Sequence, residues 1–211
     1  DAQKRRYLPK LSSGEHVGAL AMSEAVAGSD VVSMRLRADK KGDRYVLNGT
    51  KMWITNGPCA DVLVVYAKTD PAAGPRGITA FLIEKGTPGF TTPDIHKKIS
   101  LRASITSELV LQDVRVPGDA MLPEVSTLRG PLSCLNEARY GIVWGAVGAG
   151  RACFESALAY AKERIVFGKP ISAYQLTQQK LAEMALEVNR GSLVALHVGR
   201  MKDQGTLRPE H

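Results

Sequence analysis

The chain changes its punctuation once, close to Pro123. Upstream, Pro, Gly, Asn and Asp recur between short segments of alternating polarity; downstream, from roughly Leu128 to Val166, no proline follows Pro131 and Ala, Leu, Glu and Arg dominate. Proline has no backbone N–H and breaks helix interiors, so its spacing limits how long each element can be. The first part therefore reads as short strands and turns, the second as long helices. The pattern predicts an α+β chain, with a β-domain over residues 1–122 and a helical part over 123–211.

Strand-like segments fall around Val31–Arg37, Tyr45–Leu47 and Lys51–Thr55, broken by Lys41-Gly42-Asp43 and Asn48-Gly49, which are hairpin signals. "DVLVVYAKTD", "GITAFLIEKG" and "SELVLQDVRVP" follow, with turn-rich segments between them. Short strands with tight turns and no intervening helices imply an antiparallel barrel or sandwich. Gly168 and Pro170 stop the first helix, and Ser172 with Gln175 has capping-box spacing for the start of the second. Leu181, Met184 and Val188 recur at helical steps, giving that helix an apolar face. Two long helices cannot bury their stripes alone, so another subunit or further chain is expected to cover them.

Composition removes several classes. The longest apolar run, Tyr140–Gly150, falls short of the roughly 20 residues a membrane span needs. Its glycines, Gly141, Gly145 and Gly148, suggest close helix packing instead. The start, "DAQKRRYLPK", lacks the apolar core of a secretory signal. Cys59, Cys134 and Cys153 form no CxxC pair, which argues against a disulfide framework or zinc site and for a reducing compartment. His16, His96, His197 and His211 show no ligand spacing, so no metal is assigned. The net charge of +7 suits an anionic partner such as a nucleotide cofactor, although a solvated basic surface is the commoner cause. Lys4, Arg5 and Arg6 are only a short terminal cluster, so no nucleic-acid role is assigned.

The stretch "AMSEAVAGSD" (Ala21–Asp30) places hydroxyls, carboxylates and small residues between strand-like segments. Small residues admit close backbone approach, while Ser and Asp favour turns; the same composition also suits a plain surface loop. Further motifs accompany it in order: "NGTKMWITNG", "RGITAFLIEKGTPGF", "KISLRAS", "CLNEARYG" and "ERIVFGKPISAYQLTQQKLAEM". Together they resemble the acyl-CoA dehydrogenases over nearly the whole chain. Residues up to about Asp70 look most like isovaleryl-CoA dehydrogenases, whereas "DIHKKISLRAS" and "LNEARYGIVWG" look like glutaryl-CoA dehydrogenases. A mosaic joined within Gly77–Phe90 is one reading of that difference.

The resemblance implies a β-domain followed by two helices of an incomplete C-terminal bundle, with FAD as cofactor and an acyl-CoA as substrate. It further implies an electron-transfer flavoprotein as electron acceptor and a homo-oligomer, dimer or tetramer. By the same resemblance Met22 and Ser23 offer donors to the flavin's pyrimidine edge, Trp53 packs on the ring, and Thr55, with Ile54 beside it, donates to the hydride-accepting nitrogen. Ser29 would lie near the pyrophosphate and the CoA arm. Arg164, Phe167 and Gln175 match positions that reach the FAD of a neighbouring subunit, while Leu135, Asn136 and Arg139 match the helix that contacts the acyl-CoA. Arg76 is placed near CoA. Plainer roles stand beside these: a half-buried strand aromatic for Trp53, a turn residue for Thr55, a strand-end hydroxyl for Ser23. Arg164 can serve the helix dipole, Gln175 a capping box, Phe167 the turn, Arg139 a solvated helix charge, and Arg76 a surface turn.

The family reaction needs a carboxylate as general base within reach of the acidic C–H. In isovaleryl-type enzymes that Glu immediately precedes the position of Arg139, where this chain has Ala138. Glu137 is one residue earlier, and one helical step turns a side chain by about 100°, away from the flavin face. In glutaryl-type enzymes the base lies in a later loop, beyond His211. No catalytic residue is therefore assigned, and the chain alone is expected to be inactive. Ala25 replaces the family's usual Pro and Val166 the Gln of Arg-x-Gln-Phe-Gly, which weakens the case for tight flavin binding. A non-catalytic β-barrel and helical-hairpin assembly module is the alternative, and an acyl-CoA oxidase relative a third. The implied location is cytoplasmic in a bacterium, or the mitochondrial matrix in a eukaryote.

Overall fold

The computed structural model describes residues 2–125, 127–208 and 210–211. The chain forms two compact units, Asp1–Leu132 and Ser133–His211.

The first unit opens with helix α1 (Ala2–Ser13), to which the sequence pattern assigned no element. Its polar side chains hold it to the sheet unit: Tyr7 Oη and Arg6 Nη2 each lie 2.6 Å from Glu84 Oε1, and Gln3 Nε2 donates to the carbonyls of Asp119 and Met121. Gly14, with φ of 78°, ends it in the left-handed conformation usual after a helix. The strands are β1 (Gly18–Ala21), β2 (Arg37–Lys41), β3 (Arg44–Thr55), β4 (Val62–Lys68), β5 (Ile78–Glu84), β6 (Phe90–Thr91) and β7 (Thr106–Pro117). They form one curled sheet in the order β1-β4-β2-β3-β7-β6, with β5 on β4. Pairing is antiparallel for β2/β3, β3/β7, β4/β5 and β6/β7. It is parallel where β1 meets β4, Gly18 opposite Val62, and where Arg37 meets Lys68. Leu36, Leu47, Leu63, Val65, Phe81, Ile83, Leu109 and Val114 fill the interior, all fully buried.

Two local expectations are corrected. Val31–Arg37 is not a strand: Val31–Ser33 form a 3-10 turn, and β2 begins at Arg37. The Asp30 carboxylate accepts from the Ser33 hydroxyl and the Asp30 carbonyl from Ser33 N–H, a local closure that outcompetes pairing. Asn48-Gly49 is not a hairpin turn but part of the continuous β3, where the register slips because β7 carries one extra residue opposite, between Leu111 and Val114. Gly49 (φ 139°) is required there, since a Cβ would lie 2.9 Å from the Leu36 backbone. The Asn48 amide bonds across to Asp113. Lys41-Gly42-Asp43 does connect paired strands, with Lys41 opposite Arg44 and Gly42 left-handed.

The second unit holds most of helix α2 (Arg129–Glu163), a two-stranded hairpin of β8 (Ile165–Val166) and β9 (Lys169–Pro170), and helix α3 (Gln175–Asp203). Close packing between α2 and α3 does not use Gly141, Gly145 or Gly148, which have open space where a Cβ would stand. It uses α3 glycines instead: a Cβ on Gly191 would lie 3.2 Å from Val147, and on Gly199 3.1 Å from the Tyr140 hydroxyl. The capping box is also absent. α3 starts after Tyr174 without a side-chain cap, while Ile171–Ala173 form a 3-10 turn and Gln178 Nε2 donates to the Ser172 carbonyl. Ile142, Leu193 and Val194 remain exposed on the two helices, as expected for a pair that cannot bury both stripes.

Candidate functional site

The loop Ala21–Asp30 is tied to β3 from below. Met52 N–H donates to the Ser23 carbonyl at 2.9 Å, so Ser23 sits against the strand one residue before Trp53. Beneath it, Lys51 Nζ donates to the Met22 carbonyl at 2.9 Å and to Glu24 Oε1 at 3.0 Å. The Glu24 carboxylate also accepts from the backbone N–H of Arg35 at 2.6 Å and of Leu36 at 3.0 Å. Glu24 and Ala27 exchange backbone bonds that close the loop on itself. Burial pulls the Lys51 pKa below the ordinary lysine range, against the opposing pull of Glu24. The sequence pattern missed this pair; its one signal is a lysine at an inward position of an alternating strand.

β3 carries a second irregularity between Lys51 and Ile54, where one extra residue enters opposite Leu109–Ser107 of β7. Trp53 takes up the slack with φ of 65° and is 60 % exposed. A left-handed, solvent-facing Trp is unfavourable on both backbone and hydrophobic grounds, and such strain gathers at functional sites. Alternation puts Ile54 inward, 3 % exposed, so that it can offer only its backbone, while Thr55 is exposed like Trp53. Ser23, Trp53 and Thr55 thus fall on adjoining backbone segments. Beside Trp53 is a depression of about 400 Å³ lined by Ile95–Ser100. Lys97 is left-handed there (φ 60°), and Lys98 Nζ bonds the Thr106 hydroxyl at 2.7 Å. Ser29 is exposed in the loop, and Arg76 is exposed on the 3-10 segment Pro71–Gly77; neither is drawn by a hydrogen bond toward Trp53.

In the second unit, Arg164, Phe167 and Gln175 gather at the α2–α3 connection. Phe167 and Gly168, with φ of 49° and 75°, form the tip of the β8/β9 hairpin. Phe167 is 94 % exposed. The connection is well secured: Ile171 N–H donates to the Arg164 carbonyl at 2.9 Å, Tyr174 Oη to the Val166 carbonyl at 2.7 Å, and Lys169 Nζ lies 4.3 Å from the Tyr174 ring centre. A fixed frame therefore presents an unburied ring. Near the other end of the helix pair, Leu135 and Asn136 are half-buried and Arg139 Nη1 donates to Asn136 Oδ1 at 3.1 Å. Asn136, Glu137 and Arg139 line a cavity of about 360 Å³ with Tyr140, Val194 and Lys202. Glu137 turns to α3, its two carboxylate oxygens each 2.7 Å from Lys202 Nζ. Of the two roles open to a side chain rotated off the flavin face, a solvent or an interhelix contact, Glu137 takes the interhelix one. Among the described residues no group of three or more His, Cys, Asp or Glu side chains is placed to hold a metal ion, and no helix is long and apolar enough to cross a membrane.

Comparison with known proteins gives two domain matches in succession along the chain. Residues 19–114 match the acyl-CoA dehydrogenase middle domain, and residues 129–211 the acyl-CoA dehydrogenase C-terminal domain. Isovaleryl-CoA dehydrogenase of Solanum tuberosum is 50 % identical over 208 residues, covering 97 % of this chain and 50 % of its own length. A crystal structure of glutaryl-CoA dehydrogenase from Mycobacterium smegmatis superposes with a TM-score of 0.95 at 55 % identity, covering 100 % of this chain and 53 % of that one. A structure of a glutaryl-CoA dehydrogenase from the same organism in complex with FADH2 gives a TM-score of 0.95 at 52 % identity, with the same coverage. The chain spans about half the length of the curated relatives it matches. Both kinds of relative align across nearly the whole chain. Two consecutive domain matches and relatives at half identity across the whole sequence have one meaning: the chain belongs to the acyl-CoA dehydrogenase family.

Proposed function

We propose that this chain is the β-domain (residues 1–122) and the first part of the C-terminal helical domain (residues 123–211) of an FAD-dependent acyl-CoA dehydrogenase. Its substrate would be a short-chain acyl-CoA of the glutaryl or isovaleryl type. The observation that carries the reading is Trp53, held left-handed and 60 % exposed beside the Ser23 loop. That arrangement fits a large planar ring: an aromatic face stands free, with the Ser23 and Thr55 hydroxyls on the adjoining backbone. When bound, FAD supplies the hydride acceptor, and the protein supplies position and electrostatics.

The chain's own residues divide that work. Trp53 stacks on the ring. Thr55 donates to its hydride-accepting nitrogen, with the Ile54 backbone beside it. The Met22 and Ser23 carbonyls are already engaged by Lys51 and Met52, so the loop meets the pyrimidine edge with donors. Ser29 serves the pyrophosphate and the CoA arm, and Arg76 the CoA. Arg164, Phe167 and Gln175 reach the cofactor of a neighbouring subunit in a dimer or tetramer. Leu135, Asn136 and Arg139 contact the acyl-CoA. None of residues 1–211 acts as the base, because Ala138 holds the isovaleryl-type position and Glu137 is engaged by Lys202. Electrons leave to an electron-transfer flavoprotein, in the cytoplasm of a bacterium or the mitochondrial matrix of a eukaryote.

FAD titration followed by absorbance and Trp53 fluorescence tests the reading. Saturable binding that weakens at least tenfold in Trp53→Ala is expected; a colourless protein with no titratable FAD would overturn it. A colourless, stable oligomer would favour the alternative of a non-catalytic assembly module.

A further inference from the structure

We propose that the buried Lys51–Glu24 pair is a positioning device that fixes the height and register of the Met22–Ala27 loop over β3. The proposal rests on the FAD reading above, since that loop is the one assigned to the flavin edge. Both side chains are withdrawn from water, Lys51 to 0 % and Glu24 to 5 % exposure. Around them meet three backbone segments: β3, the Met22–Glu24 loop and Met34–Leu36. Lys51 comes from β3, and its ammonium holds the Met22 carbonyl and the Glu24 carboxylate, with Met34 Sδ 3.7 Å away. Glu24 in turn holds the amides of Arg35 and Leu36, the residues that lead into β2.

Stability alone does not explain this choice. Removing two ions from water is expensive, and a well-packed apolar pair of similar volume often serves a core equally well or better. An apolar pair cannot, however, bind one carbonyl and two amides in fixed directions at once. The ion pair does, and each bond defines where the loop stands relative to Trp53, two residues beyond Lys51. The tie is reinforced on the outer side by Met52 N–H to the Ser23 carbonyl. Lys51 and Glu24 are positioning residues, not catalytic ones, because both are buried and spend their bonds on the backbone and on each other.

The test compares the unaltered protein with Lys51→Met and with Lys51→Met/Glu24→Gln. The single variant leaves a buried carboxylate unpaired and risks misfolding; the double variant removes both charges. One readout is independent of FAD: hydrogen exchange in the FAD-free protein. The double variant should exchange at least tenfold faster across residues 22–27 and at Met52, with the β4/β5 amides unchanged. The second readout is the FAD dissociation constant, which should rise at least tenfold, with an altered visible circular dichroism of the bound flavin. A folded double variant that leaves either readout unchanged overturns the proposal. Failure of the unaltered protein to bind FAD would instead strike the cofactor reading, and the exchange measurement would still decide whether the pair clamps the loop.

Discussion

Both carboxylate oxygens of Glu137 lie 2.7 Å from Lys202 Nζ, binding α2 to α3 beside the Arg139 side of the helix pair. Lys202 also lies 5.2 Å from the Tyr140 ring centre, so the ammonium is held from two sides. A carboxylate engaged in this way is poorly disposed to take a proton from carbon. Dye-linked oxidation of glutaryl-CoA or isovaleryl-CoA by residues 1–211 with added FAD should therefore show no turnover above background. Clear turnover would contradict this, and its loss in Glu137→Ala would locate the error. Because the pair is largely exposed, Glu137→Ala should lower stability by no more than about 1 kcal/mol in chemical denaturation.

Phe167 combines 94 % exposure with a φ of 49°, a costly way to end a two-stranded turn. Relieving a left-handed non-glycine residue gains roughly 1 kcal/mol. Phe167→Gly should accordingly raise the melting temperature and, on the proposed cofactor role, weaken FAD binding. A variant that binds FAD as before would leave Phe167 as a turn residue only.

Tyr7 is pushed up to about 12 by burial against the sheet and by its hydrogen bond to Glu84. The folded pKa lies above the unfolded value near 10, so the contribution is fully present below pH 10. It is lost as pH rises from there through about 12. Absorbance titration at alkaline pH should show one tyrosine ionising late, and Tyr7→Phe should remove that step together with part of the stability that declines in this window.

Gly77 closes the turn after β4 so tightly that a Cβ would lie 1.8 Å from the Asp70 carbonyl oxygen. That oxygen belongs to the backbone and cannot swing aside. Gly77→Ala should destabilise the first unit by about 1–3 kcal/mol or more. Gly141→Ala provides the contrast: nothing lies within 4 Å of that Cβ, so in residues 1–211 the substitution should stabilise α2 by about 0.5–1 kcal/mol. Denaturant melts of the two variants against the parent check both signs.

Periodicity and punctuation were enough to show the change from strands to helices, because those signals are local; the first helix, however, stops at Glu163, and Gly168 turns the hairpin that follows it. Position relative to distant partners was not legible. Asn48-Gly49 has the composition of a hairpin turn, yet it runs on inside one long strand, held by the Asp113 contact opposite the extra residue of β7 and by the nearness of Leu36. Gly141, Gly145 and Gly148 suggested helix packing, yet the close approach falls to Gly191 and Gly199, since which face of a helix meets its neighbour is set by tertiary contacts. α1 stayed hidden because it is anchored by polar bonds to Glu84, Asp119 and Met121 and not by an apolar stripe. At the site, motif resemblance nominated Ser23, Trp53 and Thr55; the Lys51–Glu24 pair beneath them is a product of long-range folding.

β4 serves three neighbours at once: β5 along one edge, β1 along most of the other, and β2 at its last residue, Lys68. Its partners in β1 precede it by a long stretch of chain, Gly18 waiting for Val62. During synthesis the first strand therefore has no mate until the fourth has emerged, and closure must be a late, non-local step. An interruption within Val62–Lys68 would unfasten the sheet on both sides at once, which makes this segment the keystone of the curl.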